Sequence, residues 1–192
     1  MNQLKKTELK NPFLIGEKIY LRALNPEDIN GNYINWLNDE EVCKNNSHHI
    51  FPYTASQAAQ FISNVAGSKS ELVLAVILKK DNIHIGNISL QKISNIYQNA
   101  EFAILFGEKK YWGKGYAKEA AFLLIRHGFN ELNLHRVSCG TFPQNIGMQK
   151  LADYLGFKKE GQRIQAIFKE GKFIDIIEYG LLKSMFFKKF SI

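Results

Sequence analysis

Lys109–Ala120 reads "KKYWGKGYAKEA", and two glycines one residue apart, Gly113 and Gly115, stand there among lysines and large aromatic residues. The run before them, "NAEFAILFGE", reads as a strand. The run after them is helical, with Ala117, Ala121, Leu124 and Gly128 recurring at helical spacing and Ala120, Ile125 and Leu132 widening the stripe. A glycine pair at a strand-to-helix junction lets backbone N–H groups gather round an anion, with the helix dipole adding to the attraction. The loop is not a Walker motif, because no GxxxxGK[ST] is present, and it is not a dinucleotide fingerprint, because Lys118 stands where the third glycine belongs. The following strand, "HRVSCGT", also lacks the acidic residue that would hold a ribose.

Working outward, "KIYLRAL" (Lys18–Leu24) alternates like an opening strand. "NPEDINGNYINWLND" predicts a helix with Asn25 as N-cap and Pro26 in its first turn, and "TASQAAQFISNVAGS" a second one capped by Thr54 or Ser56. "LVLAVILKK", "IHIGNISLQKI" and "AEFAILF", separated by turn-like residues, predict an antiparallel meander leading into the glycine loop. Beyond "HRVSCGTF", Asn145 caps a helix with Met148, Leu151 and Leu155 on its buried face, and Gly156 ends it in a left-handed turn. The segment "FKKEGQRIQAIFKEGKFIDIIEYGLL" predicts two closing strands with "KEGK" at the hairpin, and the basic, aromatic tail "KSMFFKKFSI" is a packed or frayed terminus rather than a membrane anchor.

A chain of 192 residues is the size of one domain and buries a core without disulfides or metals. No apolar run reaches the roughly 20 residues that span a bilayer, and "MNQLKKTELKNPF" lacks the apolar core of a secretory signal. Cys43 and Cys139 lie far apart with no CxxC, and the histidines give no HxxxH spacing, so a cytoplasmic protein with no metal site is expected. The excess of 25 basic over 18 acidic residues, a formal charge of +7, favours an anionic partner: a polyphosphate cofactor, a nucleic acid or the ribosome surface.

The order strand, Gly-x-Gly loop, helix, strand, then Asn145 opening a helix that ends in "YLGF", resembles the GNAT N-acetyltransferases, above all the branch that acetylates ribosomal-protein N-termini. The family's loop reads Arg/Gln-x-x-Gly-x-Gly/Ala, and Lys110, Gly113 and Gly115 match it with lysine in the first place. Its asparagine, twelve residues before the phenylalanine of "LGF", matches Asn145 and Phe157. The closing "FKEGKFIDIIEYGLL" is similar to that branch's final hairpin, and the likeness runs from Lys18 to Lys183.

The resemblance implies one α/β domain of GNAT fold over residues 1–192, with its core at about 18–183: a mixed, mostly antiparallel sheet with helices on both faces. It implies acetyl-CoA as co-substrate, no metal and no covalent enzyme intermediate. Lys110, Trp112, Gly113, Lys114, Gly115, Tyr116 and Ala117 would surround the pyrophosphate. Ala103, Ile104, Leu105 and Phe106 would follow the pantetheine arm opposite Ser138–Phe142, with an N–H of Leu105 or Phe106 toward the oxyanion and Asn145 bonding the arm. Glu101 is the implied general base, acting through water on a primary amine whose pKa is lysine-like. The family's usual acids are absent: Ala152 replaces a tyrosine and Met148 a serine, which leaves the acid open. Trp36, Asn38, Phe51, Tyr53 and Tyr179 would line the acceptor pocket.

The implied acceptors are a protein N-terminus, a nucleotide-linked amino sugar or a polyamine, served by a monomer or homodimer. Two readings of other classes stay open. A CoA-binding sensor without turnover would explain the missing acids. A nucleic-acid-binding module would explain the charge, but its basic residues are dispersed and no recognition motif accompanies them.

Overall fold

Three apolar-rich runs with turn residues between them fold as the meander that the alternation predicts. In the computed structural model, which describes residues 8–192, β3 (Leu72–Leu78), β4 (His84–Ser94) and β5 (Asn99–Phe106) pair antiparallel in succession. They form the centre of an eight-stranded sheet in the order β1-β2-β3-β4-β5-β6-β8-β7. β2 (Ile19–Ala23) and the two-residue β1 (Leu14–Ile15) extend one edge. β6 (Arg136–Thr141), β8 (Lys172–Leu182) and β7 (Lys158–Lys169) extend the other, and β5–β6 is the parallel pair in an otherwise antiparallel sheet. Glu170 and Gly171, with φ of 51° and 75°, make the two-residue hairpin between β7 and β8.

Strand parity sorts the sheet into two faces. Ile88, Leu90, Phe102, Val137, Cys139, Tyr179 and Leu181 point to one face, where they pack with α4 (Tyr116–Asn130), α5 (Ile146–Leu155) and α6 (Lys183–Phe190). The tail is therefore a packed helix: Phe186 is fully buried, and its ring meets Phe122, Phe129 and Phe190. Tyr20, Ala75, Ile77 and Leu105 point to the opposite face, under α1 (Tyr33–Leu37), α2 (Glu40–Cys43) and α3 (Ala55–Val65). Helices thus cover both faces. Among the described residues, none is long and apolar enough to cross a membrane.

The helix predicted over Asn25–Asp39 is corrected. A 3-10 turn at Pro26–Asn30 stops at Gly31, and the separate short helices α1 and α2 follow, broken at Asn38–Asp39. Asn25 does cap the first piece, accepting from the N–H of Asp28 at 3.2 Å. The break is enforced from outside, because the buried Asp28 carboxylate is held bidentately by Arg22 at 2.6 and 2.8 Å and lies 3.4 Å from His84 Nδ1. Trp36 then lies flat against Gly107, where a Cβ would fall within 1.8 Å of the indole. Its Nε1 donates to Glu108 at 3.2 Å, and Asn32 donates to the same carboxylate oxygen at 2.6 Å.

Candidate active site

β5 and β6 are hydrogen-bonded neighbours only from Asn99–Arg136 to Glu101–Ser138. Beyond that point they part, although β5 continues to Phe106 and β6 to Thr141. Alternate residues of the freed part of β5 turn their N–H and C=O away from β4 and into the gap. The gap forms the floor of an open cleft of about 1220 Å³, and Ala103, Ile104, Leu105 and Phe106 line it opposite Gly140, Thr141 and Phe142.

The glycine loop closes one end. Gly113 and Gly115 have φ of 72° and 87°, and a Cβ on either would meet no atom within 4 Å, so both face open space. Gly115 is the N-cap of α4 and supplies no capping side chain; the Lys118 N–H turns back to the Gly115 carbonyl at 3.1 Å, which leaves those of Tyr116 and Ala117 uncapped at the cleft, at the start of a 15-residue helix. Trp112, Gly113, Gly115, Tyr116, Ala117 and Lys118 line this end. Trp112 fastens the loop to β5 by donating from Nε1 to the Phe106 carbonyl at 2.8 Å. Lys110 and Lys114, expected at the phosphates, do not line the cleft: their ammonium groups stand over the Tyr111 ring at 5.0 and 5.4 Å, and that of Lys110 also lies 3.8 Å from Glu108. This donor set fits a pyrophosphate, and the floor of the cleft fits an extended arm that pairs with strand backbone. Glu119, which the sequence marks only as a first-turn acid, serves packing: its Oε1 accepts from the N–H groups of Lys18 at 2.9 Å and Ile19 at 3.4 Å.

Asn145 lines the cleft at the start of α5, where its Oδ1 accepts from the Met148 N–H at 3.1 Å. Met148 lines the cleft too, whereas Ala152 is fully buried in the core. The Thr141 hydroxyl is buried without a partner among the described residues. Burial pushes the Cys139 thiol up to about 12, and it also raises that of Cys43, so both are protonated, free thiols near neutral pH.

The opposite side of the cleft is built from α1, α2 and the loop that follows them. Tyr33, Glu41, Tyr53 and residues Lys44–His48 line it. Burial raises the pKa of both Tyr33 and Tyr53, which keeps the phenols neutral. Asn38 sets Tyr53 in place by bonding its backbone at both ends, accepting from the N–H at 2.7 Å and donating to the carbonyl at 2.8 Å. Of the other acceptor candidates, Trp36 is buried behind this wall, Phe51 is 81% exposed, and Tyr179 is buried on the α4–α5 face opposite Cys139; none of the three lines the cleft. Glu101 sits where β5 and β6 part, on the α1–α3 face of the sheet, but it does not line the cleft; its side chain is 48% exposed and 3.0 Å from Lys92 Nζ.

Sequence reasoning passes over Glu41, Asn45 and Tyr33, since nothing in their local pattern separates them from helix surface, loop or core. For Tyr179 a signal is present: Ile177, Tyr179 and Leu181 alternate with Glu178 and Gly180, and that parity assigns the ring to the apolar face.

Comparison with known proteins agrees with this geometry. Residues 18–158 match the acetyltransferase (GNAT) domain. The chain is 33% identical over 174 residues to an uncharacterized N-acetyltransferase, p20, of Bacillus licheniformis, spanning 88% of this chain and 96% of that protein. It is 28% identical over 105 residues to the spermidine N(1)-acetyltransferase of Vibrio cholerae, covering 55% and 60% of the two chains. The solved structure of a spermidine N-acetyltransferase from Vibrio cholerae in complex with CoA and spermine superposes with a TM-score of 0.80 at 22% identity, covering 88% and 98% of the two chains. On the family match, the p20 likeness and the fold together, the chain belongs to the GNAT acetyltransferases and is an N-acetyltransferase.

Proposed function

We propose that the chain moves the acetyl group of acetyl-CoA directly to a primary amine within a ternary complex, and that the acceptor is a small polycationic amine. The observation that carries the first part is the parting of β5 and β6 opposite the uncapped glycine start of α4. Acetyl-CoA, when bound, supplies an activated thioester. The first-turn N–H groups of α4 hold its phosphates, and the freed backbone of Ala103–Phe106 aligns its arm. Glu101, where the strands part, takes the proton that the ammonium must lose before it can attack, through a water. Cys43 and Cys139, both free and protonated, take no covalent part, and a reducing cytoplasm suits them.

Charge on the acceptor face supports the second part. Glu41 lines the cleft, Glu101 stands where β5 and β6 part, and Glu178 faces Gly140 two strands over and two residues along from Glu101, roughly 12 Å away by strand geometry. Lys92 and Arg163 now pair with Glu101 and Glu178 in exposed contacts worth little, so an incoming ammonium exchanges with them readily. The relatives named for spermidine point the same way. A protein N-terminus is the second reading, favoured by Ile50 and Phe51, 66% and 81% exposed beside the cleft-lining loop, where a peptide's side chains would lie.

Free CoA release measured with spermidine, a short peptide bearing a free N-terminus and a nucleotide-linked amino sugar decides among the acceptors. Spermidine should give the highest kcat/KM. Release with the peptide alone would move the acceptor to a protein N-terminus, and acetyl-CoA binding without release to any amine would make the chain a sensor.

A further inference from the structure

The loop after α2 has no regular structure between Lys44 and His48, yet it forms one side of the cleft. It is held from far along the sequence. Lys169, the last residue of β7, sends its ammonium into a cage of loop carbonyls, donating to Cys43 O at 2.7 Å, Asn46 O at 2.7 Å and His48 O at 3.2 Å. An ammonium has three N–H donors, and all three are used. Between the gripped carbonyls lies Asn45. Its Oδ1 is buried and has no hydrogen-bond partner among the described residues, and Asn45 lines the cleft. A buried carbonyl oxygen without a donor is an unmet demand that folding alone does not repay.

The surroundings say which donor fits. Glu41 lines the cleft on the same side, its carboxylate 2.8 Å from the Lys109 ammonium in an exposed pair, and the phenols of Tyr33 and Tyr53 are neutral. Lys44 also lines the cleft and is exposed, and the other lining lysines, Lys118 and Lys150, belong to α4 and α5 on the far side. Desolvation at the loop, and then the neighbouring Lys169 charge, lower the His48 pKa and favour its neutral ring, although the residue keeps an exposed edge. We propose that Asn45 is a specificity-determining contact: its amide turns out of the cleft wall so that Oδ1, sealed from solvent and unpartnered in the free protein, accepts an N–H from an ammonium of the substrate other than the amine that is acetylated, and Lys169 is the positioning residue that holds the loop for it. This rests on the small polycationic acceptor proposed above.

The test compares spermidine with propylamine, which has no second ammonium. Asn45→Leu should raise KM for spermidine about 10-fold or more, the scale of a lost hydrogen bond to a charged group. It should leave kcat, acetyl-CoA affinity and KM for propylamine within about 2-fold, because groups that do not touch the second ammonium are unchanged. Asn45→Asp, which keeps the acceptor oxygen, should hold or lower KM for spermidine. Lys169→Met should shift KM in the same direction and speed hydrogen exchange of amides 44–49, with Lys169→Arg restoring both. Equal KM rises for spermidine and propylamine, or none for either, would overturn the assignment. If the wild type acetylates no amine, the acceptor reading fails on its own, and calorimetric titration of spermidine into the CoA-bound protein still decides this one. Binding lost in Asn45→Leu upholds it; binding equal in both, or absent from the wild type, overturns it.

Discussion

The two sides of the cleft are built by different means. The cofactor side comes from one contiguous stretch, β5 through α5, in which strand ends, a glycine loop and the start of a 15-residue helix present backbone donors. The acceptor side is assembled from helices of five and four residues and a loop, fixed by side chains that grip backbone or carboxylate: Asn38 on Tyr53, Trp36 and Asn32 on Glu108, Lys169 on three carbonyls. Backbone donors suit a ligand whose phosphates never change. Side-chain fixings can be exchanged singly, which suits a ligand that differs from one relative to the next.

The sharpest way to break the acceptor side is through its buried anchor. Burial alone would raise the pKa of Asp28, but hydrogen bonds from Arg22 and His84 outweigh it and hold the carboxyl below the usual carboxylate range. Asp28→Asn leaves Arg22 buried without its partner and should cost about 3–5 kcal/mol at pH 7, read from urea midpoints. Because the folded pKa is the lower one, the wild type holds this advantage in full above the unfolded value of about 3.9 and loses it as pH falls toward the folded one. The two unfolding curves should therefore converge below about pH 4. A gap that stays constant down to pH 3 would mean that the pair does not anchor this side.

Gly115→Val breaks the other side with less damage to the fold. The Cβ has space, so the expected fault lies in the left-handed φ of 87° and in a side chain placed where phosphate belongs. At 100 times Kd, acetyl-CoA should stabilise the wild type by about 2.7 kcal/mol and the folded variant not at all, as a thermal melt reads. An undiminished shift would remove the loop from the site. Glu101→Gln, where β5 and β6 part, should keep that shift yet lower kcat by about 100-fold at pH 7, with the loss shrinking as pH rises and the amine deprotonates unaided. Wild-type turnover in the variant would leave Glu101 a solvated strand carboxylate.

The same division governs what the sequence makes legible. The meander, the glycine loop, the Asn145 cap and the Gly156 stop are local, written in period and in single residues with one conformational use. The short helices are not, because the break after Asn30 is imposed through Asp28 by Arg22 on the preceding strand and by His84, 56 residues on. The grip of Lys169 spans 121 to 126 residues and leaves no local trace. Trp36 and Phe51 are both large aromatics of the acceptor region, and only the three-dimensional packing separates a ring laid on Gly107 from one left in solvent.

The smallest effect tests how the two sides meet. Lys92 lies 3.0 Å from Glu101, in an ion pair with side chains 73% and 48% exposed. Such a pair contributes less than about 1 kcal/mol, so Lys92→Ala should leave the melting temperature almost unchanged. Its ammonium nevertheless occupies the carboxylate that the proposed acceptor amine would approach. Removing it should lower KM for a polycationic amine by about 2-fold at low salt, with the difference fading by about 0.5 M salt as screening shortens the reach of both charges. Acetyl-CoA affinity should not follow, because the glycine loop proposed to hold its phosphates lies at the far end of β5. A KM that rises instead would show Lys92 helping the acceptor to bind, and with it an acceptor that carries negative charge.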